Sequence, residues 1–206
     1  MALESLQDLY LEQLRDLHSA ETQIIEALPK MIEKTSHPEL RQAFELHLRQ
    51  TQEQLRRLKQ IGEKAGQELS GHTCKGVEGL LEEGEELMKE RADSDVLDAA
   101  LISAAQRVEH YEIAGYGCAR TYAQLLGLND DAQILQRTLD EEGDTDHLLT
   151  TLAERVINVE ALMGDAQDRE VSRGAAPLAD RSGRGSSAGT SRPTGARPSD
   201  ETDATA

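Results

Sequence analysis

The chain has 206 residues, enough for one domain and a tail, and carries a net charge of −17. A surface that acidic repels phosphate backbones and anionic lipid, which excludes nucleic acid and membranes as partners. Charged residues make up 30%, aromatics only 2%, and Trp is absent, so the core must be built from Leu, Ile, Val and Ala, a composition that suits helices.

The first predicted helix runs from about Leu3 to Lys34. Tyr10, Leu14, Leu17, Glu21, Ile24 and Leu28 recur at steps of three and four and share one face. That face should be buried, yet its centre is the carboxylate of Glu21. Pro29 should kink this helix or fray its last turn. Ser36 followed by Glu39 has the capping-box spacing and predicts a second helix from about His37 to Lys64. Its apolar line is Leu40, Phe44, Leu48, Leu55 and Leu58, with His47 and Thr51 in register beside it. Residues 66–75 read as a connection. A short helix follows from about Gly76 to Glu90, with Glu82, Glu83, Glu85 and Glu86 as a solvated acidic face.

Ser94 is the expected cap of a third long helix that reaches Gly127. It is rich in alanine and carries Glu109 and Glu112 one turn apart, so both carboxylates leave one face. Asn129 is the expected cap of a fourth long helix ending near Met163. Leu135, Thr138, Glu142, Leu149 and Leu152 form its stripe, again with a carboxylate inside. Asp146 follows Glu142 by one turn and is a weaker candidate, as is His47. His18, three residues before Glu21, is placed to support that carboxylate. His110 and His147 point to other faces than their glutamate neighbours. The fold class is therefore all-α: a four-helix bundle whose longer second connection, with its short helix, is a ferritin-like crossover.

The domain spans 1–164. From 165 to 206 the chain is rich in Gly, Ser, Thr, Pro and Arg, with Val171 and Leu178 its only large apolar residues, so disorder is expected. This tail holds seven acids and six arginines, leaving about −16 on the domain. Cys74 and Cys118 fit no CxxC pattern and read as reduced thiols of a cytoplasmic protein. The opening MALESLQDLY has no basic region ahead of an apolar run, so no secretory signal is expected, and no apolar stretch is long enough to span a membrane. Known catalytic motifs such as GxSxG, HExxH and a phosphate-binding glycine loop are absent.

A buried carboxylate without a partner is costly and stays protonated. Glu21, Glu109, Glu112 and Glu142 converging in one helical core point to a cation, as in two-metal sites built from facing helices. Hard cations such as iron or manganese prefer such oxygen donors.

The stretches DLYLEQLRDLHSAETQIIEALPKM, ELRQAFELHLRQTQEQLRRL, VLDAALISAAQRVEHYEIAGYG and TLDEEGDTDHLLTTLA resemble the YciF-like ferritin-like proteins, from about Leu3 to Glu160. The resemblance implies a four-helix ferritin-like bundle, a homodimer, and a di-iron centre similar to that of the rubrerythrins. It places Glu21, the Glu109/Glu112 pair and Glu142 at that centre. The second helix departs from the family pattern: Arg49 and Gln50 stand where relatives carry acids, and Gln52 or Gln54 replaces a histidine. That helix offers His47, Gln50 or Gln54, while Thr145 takes the histidine place of the fourth. Two readings follow. One is a stress-associated metalloprotein with one or two iron or manganese ions and Fe(II)-oxidation or peroxide chemistry. The other is a non-catalytic helical dimer with a degenerate, empty site. No protein partner or catalytic residue is named by either.

Overall fold

The computed structural model describes residues 3–164; the expectations for the tail lie outside them. The fold is all-α, as expected. The helices are α1 (Leu6–Lys34), α2 (Pro38–Ala65), α3 (Lys75–Lys89), α4 (Ser94–Leu125) and α5 (Asn129–Leu152). A wider π turn, Ala153–Ile157, follows α5, and helix resumes over 158–164. α1 pairs with α2 and α4 with α5, while α3 lies across α1 and α4 on the crossover.

Several boundaries differ from the sequence expectation. α1 starts at Leu6 rather than Leu3, because the Ser5 side chain accepts the Asp8 N–H and fixes the cap there. Pro29 neither ends nor frays it, since Leu28 and Met31 on either side are buried and hold the helix through Lys34. Ser36 does not form its capping box. His37 occupies the cap position, Pro38 opens the helix, and the backbone N–H groups of Ser36 and His37 both donate to the Asp98 carboxylate of α4, at 3.0 and 2.8 Å. A residue sixty positions away thus does the work of a local cap. Asp93, not Ser94, caps α4 by accepting the Asp95 N–H, and Leu128 precedes Asn129 at the start of α5. The chain turns out of α2 at Gly66 and out of α4 through Gly127, both in the left-handed region that favours glycine.

Asp98 is 1% exposed and also accepts the Ser36 hydroxyl. Replacing it with Ala leaves three part-buried donors without their acceptor. Asp98→Ala is expected to cost about 2–4 kcal/mol, since bonds to a charged acceptor are the stronger kind. Urea denaturation measures this, and a loss below half a kcal/mol would contradict it.

The interior divides in two. One apolar cluster includes Ile24, Leu28, Phe44, Leu101, Val108, Leu149 and Ile157. The other includes Tyr10, Leu14, Leu17, Leu58, Ile61, Tyr116 and Leu135. On every long helix the residues between these clusters are polar and buried: Glu21 on α1; His47, Thr51 and Gln54 on α2; Glu109 and Glu112 on α4; Thr138, Glu142 and Thr145 on α5. A polar layer therefore crosses the bundle between two hydrocarbon halves. Part of the apolar side of α3 is covered from within the bundle. Val77 is fully buried, and Leu80, Leu81 and Met88 pack on the first cluster. No helix among the described residues is long and apolar enough to cross a membrane.

Candidate metal centre

Glu109 and Glu112 leave α4 on the face that meets α2 and α5. His47 arrives from α2 because Phe44 and Thr51, its register neighbours, are buried in the same seam. Glu142 arrives from α5 between Thr138 and Thr145. His47, Glu109, Glu112 and Glu142 each offer one ligand atom, and these four atoms lie within 4.8 Å of one another. His47 Nε2 and Glu109 Oε1 are 3.1 Å apart. None of the four residues is more than 3% exposed, so water does not screen their charges.

Glu21 is fully buried beside this group but not within it. Its Oε1 accepts a short hydrogen bond from the Tyr116 hydroxyl, and its Oε2 has no partner. Burial pushes the Glu21 carboxyl up to about 8; the Tyr116 hydrogen bond opposes that and Glu109 adds to it. Burial holds the carboxyl of Glu112 well above the ordinary range, helped by Glu21 and Glu109. Glu142 is raised by burial, then by Glu112, Glu109 and Glu21. The neighbouring carboxylates likewise push the buried Tyr116 phenol up, after desolvation itself.

The donor set fits a transition-metal ion. Both oxygens of Glu112 and of Glu142, Glu109 Oε2, Glu21 Oε2 and His47 Nδ1 are buried without a hydrogen-bond partner. Buried polar atoms are almost always paired, and this concentration of unpaired ones is what a cation would satisfy. Three carboxylates with one imidazole suit iron or manganese; no thiolate is present to favour softer ions.

The weaker candidates separate. Asp146 does not join the cluster. Its Oδ1 accepts the Gln106 amide at 2.9 Å and lies 3.4 Å from His110 Nε2, at the outer edge of the α4–α5 seam. The stripe continues from Glu142 by a step of three to Thr145; two steps of four in a row from Thr138 carry Asp146 off it. His18 does not support Glu21. It is half-buried in a groove with Lys59, Glu63 and Leu69, where burial, then Lys59, lowers its pKa. His110 and His147 are exposed, and Thr145 is buried with its hydroxyl donating to the Glu141 carbonyl. Arg49 is exposed, and Glu53 faces outward against Arg56, as its register predicts.

Sequence reasoning missed one feature. Arg57, only 8% exposed, makes a two-pronged bond to Glu141 at 2.7 and 2.8 Å and also donates to Thr138 Oγ1. Glu141 in turn accepts the Gln54 amide at 3.2 Å. The signal was present: Arg57 lies one turn beyond Gln54 on the stripe that passes through His47 and Thr51.

Residues 5–162 match a family model described as a domain of unknown function, DUF892. The chain is 41% identical over 162 residues to the Escherichia coli (strain K12) protein YciF, covering 78% of this chain and 98% of that relative. The crystal structure of the E. coli stress protein YciF superposes with a TM-score of 0.72 at 42% identity, over 75% of this chain and 98% of that one. A Rhodopseudomonas palustris protein, YcfI, provisionally described as structural, gives a TM-score of 0.70 at 44% identity over 72% and 95%. A Xanthomonas campestris protein shares the fold at 21% identity and a TM-score of 0.63.

Proposed function

The chain belongs to the DUF892 family, and from that premise we propose that it is a ferritin-like protein that binds iron or manganese in its polar layer and acts in stress physiology. The observation that carries this reading is the set of four buried ligand atoms within 4.8 Å of one another, surrounded by unpaired carboxylate oxygens. The description of YciF as a stress protein supports the physiological setting. A bound iron or manganese ion supplies electron transfer and open positions for an oxidant. Everything else comes from the chain. Glu109, Glu112 and Glu142 would hold the cation, and the carboxyls of Glu112 and Glu142, which burial raises, would lose their protons to do so. His47 is the single nitrogen donor. Tyr116 fixes Glu21 through its Oε1. Leu17 and Leu58 on one side and Ile24 and Val108 on the other enclose the polar layer in hydrocarbon.

A direct test is manganese(II) binding followed by calorimetry, with metal analysis of protein purified without chelators. Glu112→Gln removes one anionic donor. It should weaken binding roughly 10- to 100-fold, on the scale of one lost charge-assisted contact of ~1.5–3 kcal/mol. Binding that is absent in the parent chain, or untouched in Glu112→Gln, counts against the metalloprotein reading.

A non-catalytic helical protein is the second reading, favoured by the neutral Gln50 and Gln54 on α2 and by the structural description given to YcfI. Under either reading we place the protein in the cytoplasm as a homodimer. For the dimer contact, the half-buried Leu80, Leu81 and Leu87 of α3 and the exposed Leu46, Leu125 and Leu162 are open to a second subunit. Light scattering is expected to give twice the chain mass at micromolar concentration; a monomer rejects the dimer.

A further inference from the structure

The outer face of α4 carries an open groove of about 570 Å³, away from the polar layer. It is lined by Ala99 and Ile102 of α4, by Leu80 of α3, and by Ala153 and Asn158 at the π turn. Arg107 also lines it, two turns beyond Ala99 on α4. The Arg107 guanidinium is exposed and donates to the Ser103 carbonyl at 3.3 Å; among the described residues no carboxylate pairs with it.

The chain leaves the described residues at the near end of this groove. A Cβ placed on Gly164 would lie 3.8 Å from Asp95 Oδ2. Asp95, Ala99, Ile102 and Gln106 follow one another at steps of three and four, so Gly164 sits against the face of α4 that lines the groove. Val171, one of the two large apolar residues in 165–206, comes seven positions later. Seven extended residues span up to about 24 Å, whereas Arg107, twelve positions along α4 from Asp95, is about 18 Å away on the helix axis. Val171 can therefore reach the whole groove, and Glu170 beside it brings the carboxylate that Arg107 lacks.

We propose that residues 165–171 reverse after Gly164, lie along α4 and seat Val171 in the groove, with Glu170 at Arg107. The occupant is the chain's own tail rather than a second copy. The tail begins at the groove and is held there at an effective concentration on the order of millimolar, which a free partner at micromolar concentration does not match. The seated segment covers Leu80 and Ala99 and withdraws that side of α3 from any contact between subunits. None of this requires a metal ion in the polar layer, so it stands or falls apart from the metal-binding reading.

Paramagnetic broadening of amide signals in the full chain tests this. A nitroxide is placed on Ser172→Cys in a Cys118→Ser background; Cys74 is buried and stays unlabelled. The amides of Ala99, Ser103 and Arg107 should broaden, while that of Asn129, at the other end of α4, should not. Val171→Asp should lower the docking equilibrium constant ~10-fold or more, the worth of one buried valine. Arg107→Glu should lower it ~2- to 5-fold, and adding Glu170→Arg should restore it. Spin-labelled chain mixed with isotope-enriched, unlabelled chain should give no broadening. Broadening in that mixture assigns the groove to the tail of another copy and overturns the proposal. So does a groove that does not broaden in the labelled chain, or broadening that Val171→Asp leaves unchanged. Should Arg107→Glu perturb α4, Val171→Asp decides alone.

Discussion

Saturating manganese(II) should raise the melting temperature of the protein by roughly 5–10 °C, because a ligand at about 100 times its Kd stabilises the folded state by ~2.7 kcal/mol and each kcal/mol is worth ~2–4 °C in a domain of this size. The ligands come from α2, α4 and α5, so an unfolded chain offers no comparable site and the coupling to folding is nearly complete. Differential scanning calorimetry with and without chelator measures it. The size of the effect separates the polar layer from the acidic surface. Exposed acids such as Glu82, Glu83 and Glu86 bind divalent ions too loosely to move the transition by several degrees. A melting curve indifferent to manganese and iron would remove the cation from the account of this bundle.

With metal withheld, stability should fall as pH rises from about 4.5 to 8, by on the order of 4 kcal/mol from Glu21 alone. The direction follows from proton counts. In the unfolded chain a glutamate ionises near its ordinary value, whereas the folded Glu21 keeps its proton up to about 8. Between those values the folded state binds more protons, so raising the pH favours unfolding; below 4.5 the difference disappears. Glu112 and Glu142, also raised, push the same way. Chelator-treated protein unfolded in urea across this range gives the slope. Glu21→Gln should flatten it, which separates the buried carboxyls from the general repulsion of a −17 chain. A flat or rising profile in the parent would show that these carboxyls do not hold protons. Cation binding, which expels those protons, should strengthen over the same interval.

The helices and the four principal carboxylates were legible because one rule governs both. A face that packs in a bundle repeats every three or four residues, and a charge on that face is forced inward whatever its chemistry. Glu21 and Glu142 interrupt apolar stripes and are both fully buried. Glu109 and Glu112 were readable from their spacing in an alanine-rich helix. Asp146 misled because a second step of four after Thr138–Glu142 drifts off the stripe, which Thr145 continues, and the Gln106 amide holds it at the edge. The capping residues misled for another reason. Ser36 satisfies the local pattern, but Asp98 competes for the same N–H groups from another helix, and no local window contains it. Arg57 was passed over because a cation in an apolar stripe reads as surface unless its partner on α5 is known.

The reach of Asp98 across the bundle has a further consequence. α1–α2 and α4–α5 form two helical hairpins, and hairpins joined by a long crossover can in principle swing open independently. Asp98 ties the turn of the first to the opening of the second, at one end of the molecule. The His47–Glu109 contact ties α2 to α4 again in the middle. Opening either hairpin would break both ties and leave the buried Asp98, His47 and Glu109 without these partners. The amide protons of the two hairpins are therefore expected to exchange with solvent through one shared opening, as in a single cooperative unit rather than two halves hinged on α3.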